Sequence, residues 1–149
     1  MKKYLNLKKK IKKNEGFRDS AYLDFLGFQT IGYGHLIKPK EKDLLIKKIS
    51  KKYLLEIFIE DFNKSVKDYE KFYRKNKYNQ NIKEVLIEMI FQLGIEKQRK
   101  FVKMNSYLET KQLFMACLEM KNSLWYQQTP KRVDGLISSL LRWNYDRRR

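Results

Sequence analysis

The sequence is poor in residues that cross-link or interrupt a chain, with one Cys, two Pro, six Gly and one His among 149 residues. A single Cys excludes an intramolecular disulfide and fits synthesis in a reducing cytoplasm. That residue, Cys117, lies in the apolar run LFMACL, where a core thiol is expected rather than a nucleophile. No stretch approaches the roughly 18 consecutive apolar residues that indicate a transmembrane helix.

Acidic residues are also scarce, since 17 Asp and Glu stand against 34 Lys and Arg, a formal net charge of +17. Such an excess predicts an anionic partner, which could be nucleic acid, an acidic membrane surface or an anionic cell wall. The N-terminal stretch MKKYLNLKKKIKK lacks the apolar run of about seven residues that a signal peptide needs, so none is expected. Its lysines could bind a membrane or nucleic acid, although a solvated helix face is the commoner meaning of such a run.

Glycine is concentrated in one segment, residues 15–35, which reads EGFRDSAYLDFLGFQTIGYGH and holds four of the six glycines. The same segment contains two carboxylates nine residues apart, Glu15 and Asp24, then Thr30 six residues later and the single histidine, His35. Glycine is used where a backbone turns tightly or takes a positive φ. A glycine-rich segment with paired carboxylates is the strongest candidate for a functional site in this chain.

The position of Glu15 follows from a helical pattern upstream. Tyr4, Leu7 and Ile11 recur at spacings of three and four residues, which predicts one apolar helix face. Glu15 is the next position on that face, and Gly16 suits the residue just beyond a helix end. The carboxyl of Glu15 is therefore expected to project from the last turn toward the protein, where partial removal from water suits a general acid.

A hairpin is predicted next, from residues 21–24 and 28–31 around a turn at residues 25–27. Such a hairpin would bring Asp24 near Thr30, so that Asp24 could act as a base and Thr30 could hold a water molecule. Two carboxylates in unlike surroundings, with room for a water, are what glycoside hydrolysis requires. The alternative is a solvated glutamate and an aspartate that caps a turn.

The rest of the chain is predicted to be helical. Apolar residues recur every three or four positions from residue 51 to 74 without Gly or Pro, and Ser50 suits the N-cap. At 1.5 Å per residue such a helix spans about 35 Å, enough to bridge two lobes. Residues 95–105 lack clear periodicity. Further helices are predicted at residues 82–93, at residues 108–120 and from Thr129–Pro130 onward.

Three separated blocks resemble the phage-type lysozymes, glycoside hydrolase family 24. Glu15, Asp24 and Thr30, with the IGYGHL that follows, resemble the catalytic signature of that family. Residues 89–94, MIFQLG, resemble its cleft-lining helix end, and residues 125–130, WYQQTP, resemble its C-terminal helix-turn-helix. The blocks occur in the same order as in the family and anchor about residues 11–143.

The resemblance implies hydrolysis of the β-1,4 bond between N-acetylmuramic acid and N-acetylglucosamine in bacterial peptidoglycan, with inversion. Glu15 matches the general acid, Asp24 the second carboxylate, and Thr30 the residue that positions the attacking water together with Asp24. No cofactor and no metal are implied. We call these three residues the candidate trio.

Other positions are assigned by the same resemblance. Leu36, Phe91 and Gln92 match positions that contact sugar. Trp125 and Tyr126 are expected to pack and to shape the wall of the cleft.

Two ion pairs are also expected. Arg132 matches a residue that pairs with the catalytic glutamate, Glu15. His35 is expected to pair with Asp61 on the long helix in a structural role. The acidic pairs Glu41/Asp43 and Glu60/Asp61 lack a nearby His or Cys at the sequence spacing of metal ligands.

The sequence therefore predicts an α+β fold of the lysozyme type as one domain over residues 1–149. A small lobe with a short antiparallel sheet, residues 16–50, is joined by a linking helix, residues 51–75, to a helical lobe formed by residues 1–15 and 76–149, with the active site in the cleft between lobes. The expected protein is a monomer made in the host cytoplasm that acts on peptidoglycan in the periplasm or cell wall. The resemblance further implies a separate holin or a phage particle for delivery.

Three alternatives remain open at this point. A lytic transglycosylase would use no water and would form an anhydro-sugar, a route for which Asp24 and Thr30 would be superfluous. A basic nucleic-acid-binding protein would explain the charge but not the spacing of the candidate trio. A structural component of a phage particle with a lysozyme fold would explain the resemblance without activity.

Overall fold

The structure is a computed structural model that describes residues 2–146, with side chains described over residues 3–142. The chain divides into two compact units, one up to Lys64 and one from Ser65 onward. The first helix belongs to the first unit together with the sheet. The lobe boundaries implied by the family resemblance stay a prediction.

The first unit holds the sheet. A 3-10 turn, Lys2–Tyr4, leads into helix α1, Leu5–Glu15. Three antiparallel strands follow in the order β1-β2-β3. The unit continues through a 3-10 turn at Lys42–Leu45 into the long helix α2, Lys51–Tyr73, which extends into the second unit. The strands are β1 (Arg18–Leu23), β2 (Gln29–Gly32) and β3 (His35–Leu36).

Helix α2 begins and packs as its sequence predicts. The Ser50 hydroxyl accepts a hydrogen bond from the Tyr53 backbone N–H at 3.3 Å, which confirms the N-cap. Gly32 takes φ +65°, and a Cβ there would lie 3.3 Å from the Leu54 side chain, so glycine allows the strand to approach the helix closely. This contact belongs to the core of the first unit, which comprises Ile31, Leu44, Ile49, Leu54 and Ile57.

Helix α1 packs through the predicted apolar face. Leu7 and Ile11 are buried, and the ring of Tyr4 contacts that of Phe62 edge-on at a centroid distance of 5.7 Å. The ammonium group of Lys8 lies 5.7 Å from the centroid of the Phe62 ring. The apolar periodicity of α1 is therefore confirmed, and it orients the last residue of the helix.

Over its described residues, the second unit consists of helices joined by short turns, and it has no strand. Helix α3 begins where the Asn79 side chain accepts the Ile82 N–H at 2.9 Å, and it ends at Gly94, whose φ is +81°. The helices are α3 (Gln80–Leu93), α4 (Ile95–Arg99), α5 (Val102–Glu109), α6 (Leu113–Lys121), α7 (Leu124–Gln128) and α8 (Pro130–Asp146).

The sequence left one segment of the second unit unassigned, and its prediction for another was wrong. Residues 95–105, which lack periodicity, contribute the whole of α4 and the start of α5. Residues 108–120 do not form one helix, because the chain breaks between α5 and α6, where Lys111 takes φ +59°. Helices of five to nine residues complete too few turns to display a period, and packing rather than propensity decides them.

A buried polar network was also missed. The amide of Gln98 is fully buried; its Oε1 accepts from the Tyr73 hydroxyl and its Nε2 donates to Asn105 Oδ1 at 2.9 Å. Cys117 is buried as expected, and burial raises the pKa of its thiol to about 11, which keeps it protonated. Among the helices of the described chain, none has the length and apolar character required to cross a bilayer.

Candidate active site

Glu15 is the last residue of α1 and lies against the backbone of a glycine. The helix ends because Gly16 takes φ +70°, with its N–H still bonded to the Lys12 carbonyl at 3.0 Å. Glu15 is partly buried, and a Cβ built on Gly34 would lie 2.5 Å from its Oε2. Only a residue without a side chain leaves room for the carboxylate at this point, so Gly34 shapes the site of the predicted acid.

Asp24 follows β1 and caps the hairpin turn. Its Oδ1 accepts the backbone N–H of Leu26 at 2.9 Å and that of Phe28 at 2.8 Å. The turn is closed further by a backbone bond from the Gly27 N–H to the Asp24 carbonyl at 2.9 Å. The capping role that was the alternative for Asp24 is thus present, and it holds the carboxylate in one orientation.

Thr30 is buried in β2, and its hydroxyl donates a hydrogen bond within the same strand region. Its side chain is 2% exposed, and Oγ1 donates to the Phe28 carbonyl at 3.0 Å. The hydroxyl oxygen keeps its lone pairs as acceptors. A water bound there would have to donate a proton to Thr30 rather than accept one.

The register places Thr30 in a row that crosses the three strands. Tyr22 of β1 lies opposite Thr30, and Thr30 lies opposite Leu36 of β3. Residues directly opposite in antiparallel strands project from the same face. Asp24, two residues beyond Tyr22, continues on that face. Leu36 is 53% exposed and so is accessible beside the buried threonine.

Tyr22, which the sequence reasoning missed, lies beside the candidate trio, opposite Thr30. Burial raises the pKa of its phenol, the charge of Glu15 and that of Asp24 raise it further, and Arg18 opposes them. The Arg18 guanidinium lies 4.5 Å from the centroid of the Tyr22 ring. Tyr22 therefore lies in the field of both predicted catalytic carboxylates. Its position two residues before Asp24, on the same strand face, was the available signal.

His35 is held between two carboxylates. Its Nδ1 lies 2.7 Å from Asp61 Oδ2, which confirms the predicted contact, and its Nε2 lies 3.0 Å from Glu41 Oε2, which was not predicted. Burial lowers the pKa of His35, but the hydrogen bonds and charges of Asp61 and Glu41 outweigh it, and the net shift is upward. The folded chain therefore favours the imidazolium, which ties β3 to α2. Among the described residues, no cluster of His, Cys, Asp or Glu is suited to hold a metal ion.

In the second unit, the predicted residues Gln92 and Trp125 contact each other. The indole Nε1 of Trp125 donates to Gln92 Oε1 at 2.9 Å, and Gln92 Nε2 donates to the Thr129 hydroxyl at 3.2 Å. Trp125 is buried and packs edge-on against Phe101, whereas Phe91 is only partly buried. One lone pair and one amide proton of Gln92 remain for other partners.

Arg132 and Tyr126 have partners within the second unit. Arg132 Nε lies 3.3 Å from Glu88 Oε1, and the Glu88 side chain is 1% exposed. The pairing of Arg132 with the catalytic glutamate stays a prediction. The Tyr126 N–H donates to the Ser123 hydroxyl at 3.0 Å, and its phenol donates to Asp134 at 3.4 Å.

Comparison with known proteins gives one consistent result. The sequence profile of the phage lysozyme family matches residues 12–146. Probable T4-type lysozyme 2 of Dictyostelium discoideum is 33% identical over 156 aligned positions, which cover 89% of this chain and 92% of that protein. Probable T4-type lysozyme 1 of the same organism is 30% identical with the same coverage. The pre-baseplate central spike protein Gp5 of Enterobacteria phage T4 is 26% identical over 95% of this chain but only 28% of that protein.

The family match, the identity to relatives of similar length and the α+β architecture agree. The chain therefore belongs to the phage lysozyme family and is a muramidase-like glycoside hydrolase of the bacterial cell wall.

Proposed function

We propose that this lysozyme hydrolyses the β-1,4 bond between N-acetylmuramic acid and N-acetylglucosamine, with Glu15 as general acid and Asp24 and Thr30 acting on the water. The observation that carries the proposal is that the two carboxylates lie in unlike surroundings in one unit. Glu15 is partly buried against a glycine backbone, whereas Asp24 Oδ1 accepts two backbone N–H groups. A pair of carboxylates separated in this way is the usual basis for assigning acid and base.

The hydrogen bonds suggest how the water is oriented. A water between Asp24 and Thr30 donates one proton to Thr30 Oγ1, because the threonine proton is used on the Phe28 carbonyl. It donates the other to Asp24, whose Oδ2 is the oxygen that the turn does not use in its two capping bonds. The lone pair of the water then faces the anomeric carbon.

In the proposed reaction Glu15 gives its proton to the glycosidic oxygen, the bond from that oxygen to the anomeric carbon breaks, and the water oxygen attacks the opposite face. Asp24 takes a proton from the water, and the product sugar has inverted configuration. Exchange of protons with solvent restores the acid and the base.

Contacts with sugar and the lytic role extend the proposal. We assign sugar contacts to Leu36 in the first unit and to Phe91 and Gln92 in the second. Cleavage of many such bonds would lyse the wall. Gp5 is named a pre-baseplate central spike protein, which makes delivery within a phage particle one route to test. Release through a separate holin is the other route.

Replacing Asp24 by Asn and Thr30 by Ala tests the assignment of the water-directing pair. We expect kcat on a defined glycan oligomer to fall roughly 10²-fold or more for Asp24→Asn and roughly tenfold for Thr30→Ala, with KM little changed, because both act on the water and not on the bound sugar. Asp19→Asn is the matched control, since Asp19 is a carboxylate of β1, the strand that Asp24 follows, and its partner is Lys48 at 3.1 Å. A raised KM with unchanged kcat would contradict the roles.

A further inference from the structure

The turn of the β1–β2 hairpin carries four large apolar side chains that project into solvent. Leu23 is 64% exposed, Phe25 86%, Leu26 52% and Phe28 56%. We call these four residues the hairpin tip. A cluster of large exposed apolar side chains such as this one marks an interaction site.

The hairpin tip is held in a fixed shape. Asp24 Oδ1 bonds the backbone N–H groups of Leu26 and Phe28, and the Asp24 N–H donates to the Phe28 carbonyl at 2.9 Å. At positions 26 and 28 the bonds use backbone N–H groups, so they do not depend on which side chains those two residues carry. The apolar side chains are therefore presented on a backbone that needs little further ordering at binding.

Positive charge lies beside the hairpin tip. The Ile37 N–H donates to the Gln29 carbonyl at 3.0 Å, and extending that register by one residue places Lys38 next to Phe28. Lys38 and Lys40 are exposed, and the neighbouring Glu41 carboxylate is engaged by His35 and by the Lys38 backbone N–H. The end of the sheet thus combines an apolar projection with a cationic flank.

We propose that the hairpin tip inserts into the interface of an anionic lipid bilayer, with Lys38 and Lys40 at the headgroups. Transfer of apolar side chains from water to acyl chains lowers the free energy, and attraction between cationic side chains next to them and anionic headgroups lowers it further. The occupant is a lipid surface, because exposed lysines stand beside the exposed apolar side chains and together they match the anionic headgroups and acyl chains of a bilayer.

Vesicle binding by the full chain tests the inference. Co-sedimentation should show that the chain binds mixed vesicles of phosphatidylglycerol and phosphatidylcholine. It should bind vesicles of pure phosphatidylcholine more weakly. The double variant Phe25→Ser/Leu26→Ser should lower the partition coefficient roughly 100-fold, and Lys38→Gln/Lys40→Gln roughly tenfold or more. Phe114→Ser is the matched control, because Phe114 is 66% exposed on α6, and it should bind as the parent chain does.

Insertion itself is measured by fluorescence. When anionic vesicles are added to Phe25→Trp, the tryptophan emission maximum should shift to the blue, and brominated acyl chains should quench the emission. Phe114→Trp should show neither effect. Equal vesicle binding by the parent chain and Phe25→Ser/Leu26→Ser, or no shift in Phe25→Trp, would overturn the inference.

Two further measurements separate other occupants. Sedimentation velocity without lipid measures whether the parent chain self-associates. Self-association that the double variant abolishes would show that the hairpin tip binds a second copy of the chain, and the inference would then be wrong. Hydrolysis of a short soluble glycan oligomer by the double variant is the second measurement. Lost hydrolysis with retained vesicle binding would assign the hairpin tip to glycan instead.

Discussion

At the scale of a single residue, Gly34 meets two requirements: one of the backbone conformation and one of the proposed chemistry. Its φ of +81° favours glycine, and the Glu15 carboxylate occupies the space that a side chain would need. The first constraint concerns stability and the second concerns the position of the proposed acid. The two can be separated, because Gly94 has the same φ of +81° with nothing within 4 Å of an added Cβ.

Replacing Gly34 by Ala should therefore impair both stability and activity, whereas Gly94→Ala should impair stability alone. Each change should cost roughly 1–2 kcal/mol of unfolding free energy, since alanine is strained at a positive φ. Gly34→Ala should also lower kcat roughly 10²-fold, because displacing a catalytic group by about 1 Å can cost that much. Denaturant titration and glycan hydrolysis on the same samples measure the two effects; equal losses of activity in both variants would refute the link to Glu15.

Residue-level prediction from the sequence worked where the signal was local. Glu15 was placed by a four-residue spacing and by the glycine after it. Tyr22 was missed although its position two residues before Asp24 offered a signal. Glu41 was missed because its contact with His35 is not visible in a linear pattern. The Asp61 contact was expected only from the family resemblance.

The clamp formed by His35, Asp61 and Glu41 joins two elements of the first unit. It ties β3 to α2 through both ring nitrogens of His35, whose side chain is 7% exposed. The pKa of His35 is raised from 6.5, so its contribution to stability is complete below pH 6.5 and is lost as pH rises through the folded-state value. Burial raises the pKa of Glu41, but hydrogen bonds from the Lys38 N–H and His35 outweigh burial, and the net pKa lies below the ordinary 4.5. The contribution of Glu41 to stability is therefore lost as pH falls through its folded-state pKa.

His35→Asn should thus be most destabilising between about pH 4.5 and 6.5. We expect a cost of roughly 2 kcal/mol near pH 5.5, the range for hydrogen bonds to charged groups, and a smaller cost at pH 9. Urea unfolding at both pH values measures the difference. Lys48→Gln, which removes an exposed ion pair, should cost within about 0.5 kcal/mol at either pH. A pH-independent cost for His35→Asn would exclude the clamp.

Prediction at the level of elements depended on length. The 23 residues of α2 and the 14 of α3 show enough turns for periodicity to be read, and caps at Ser50 and Asn79 mark their starts. The segment between α3 and α6 was misread because short helices are fixed by what they pack against, here through the fully buried Gln98 and Met104.

Charge is the property of the whole molecule that catalysis at two carboxylates does not explain. An excess of +17 should attract the enzyme to walls that bear phosphate or carboxylate groups. Exposed charges are screened within about 8 Å at physiological ionic strength. Lysis of whole walls should therefore fall steeply with salt, while hydrolysis of a short, weakly charged oligomer should fall much less.

The lysines of α1 allow a targeted version of this test. The ammonium groups of Lys8 and Lys12 lie over aromatic rings, so their removal would also disturb packing, whereas Lys9 and Lys13 are exposed. Lys9→Gln/Lys13→Gln should lower wall lysis at low salt and flatten its salt dependence without changing oligomer hydrolysis. Parallel salt curves for walls and oligomers would show that the surface charge does not target the wall.

Digestion of isolated peptidoglycan, followed by mass analysis of the released ends, tests the central claim most directly. The account predicts new reducing ends on N-acetylmuramic acid, and a loss of at least roughly 10²-fold in Glu15→Gln, with thermal melts showing that the variant stays folded. Anhydro-muramic ends, reducing ends on N-acetylglucosamine, or undiminished release by Glu15→Gln would contradict it.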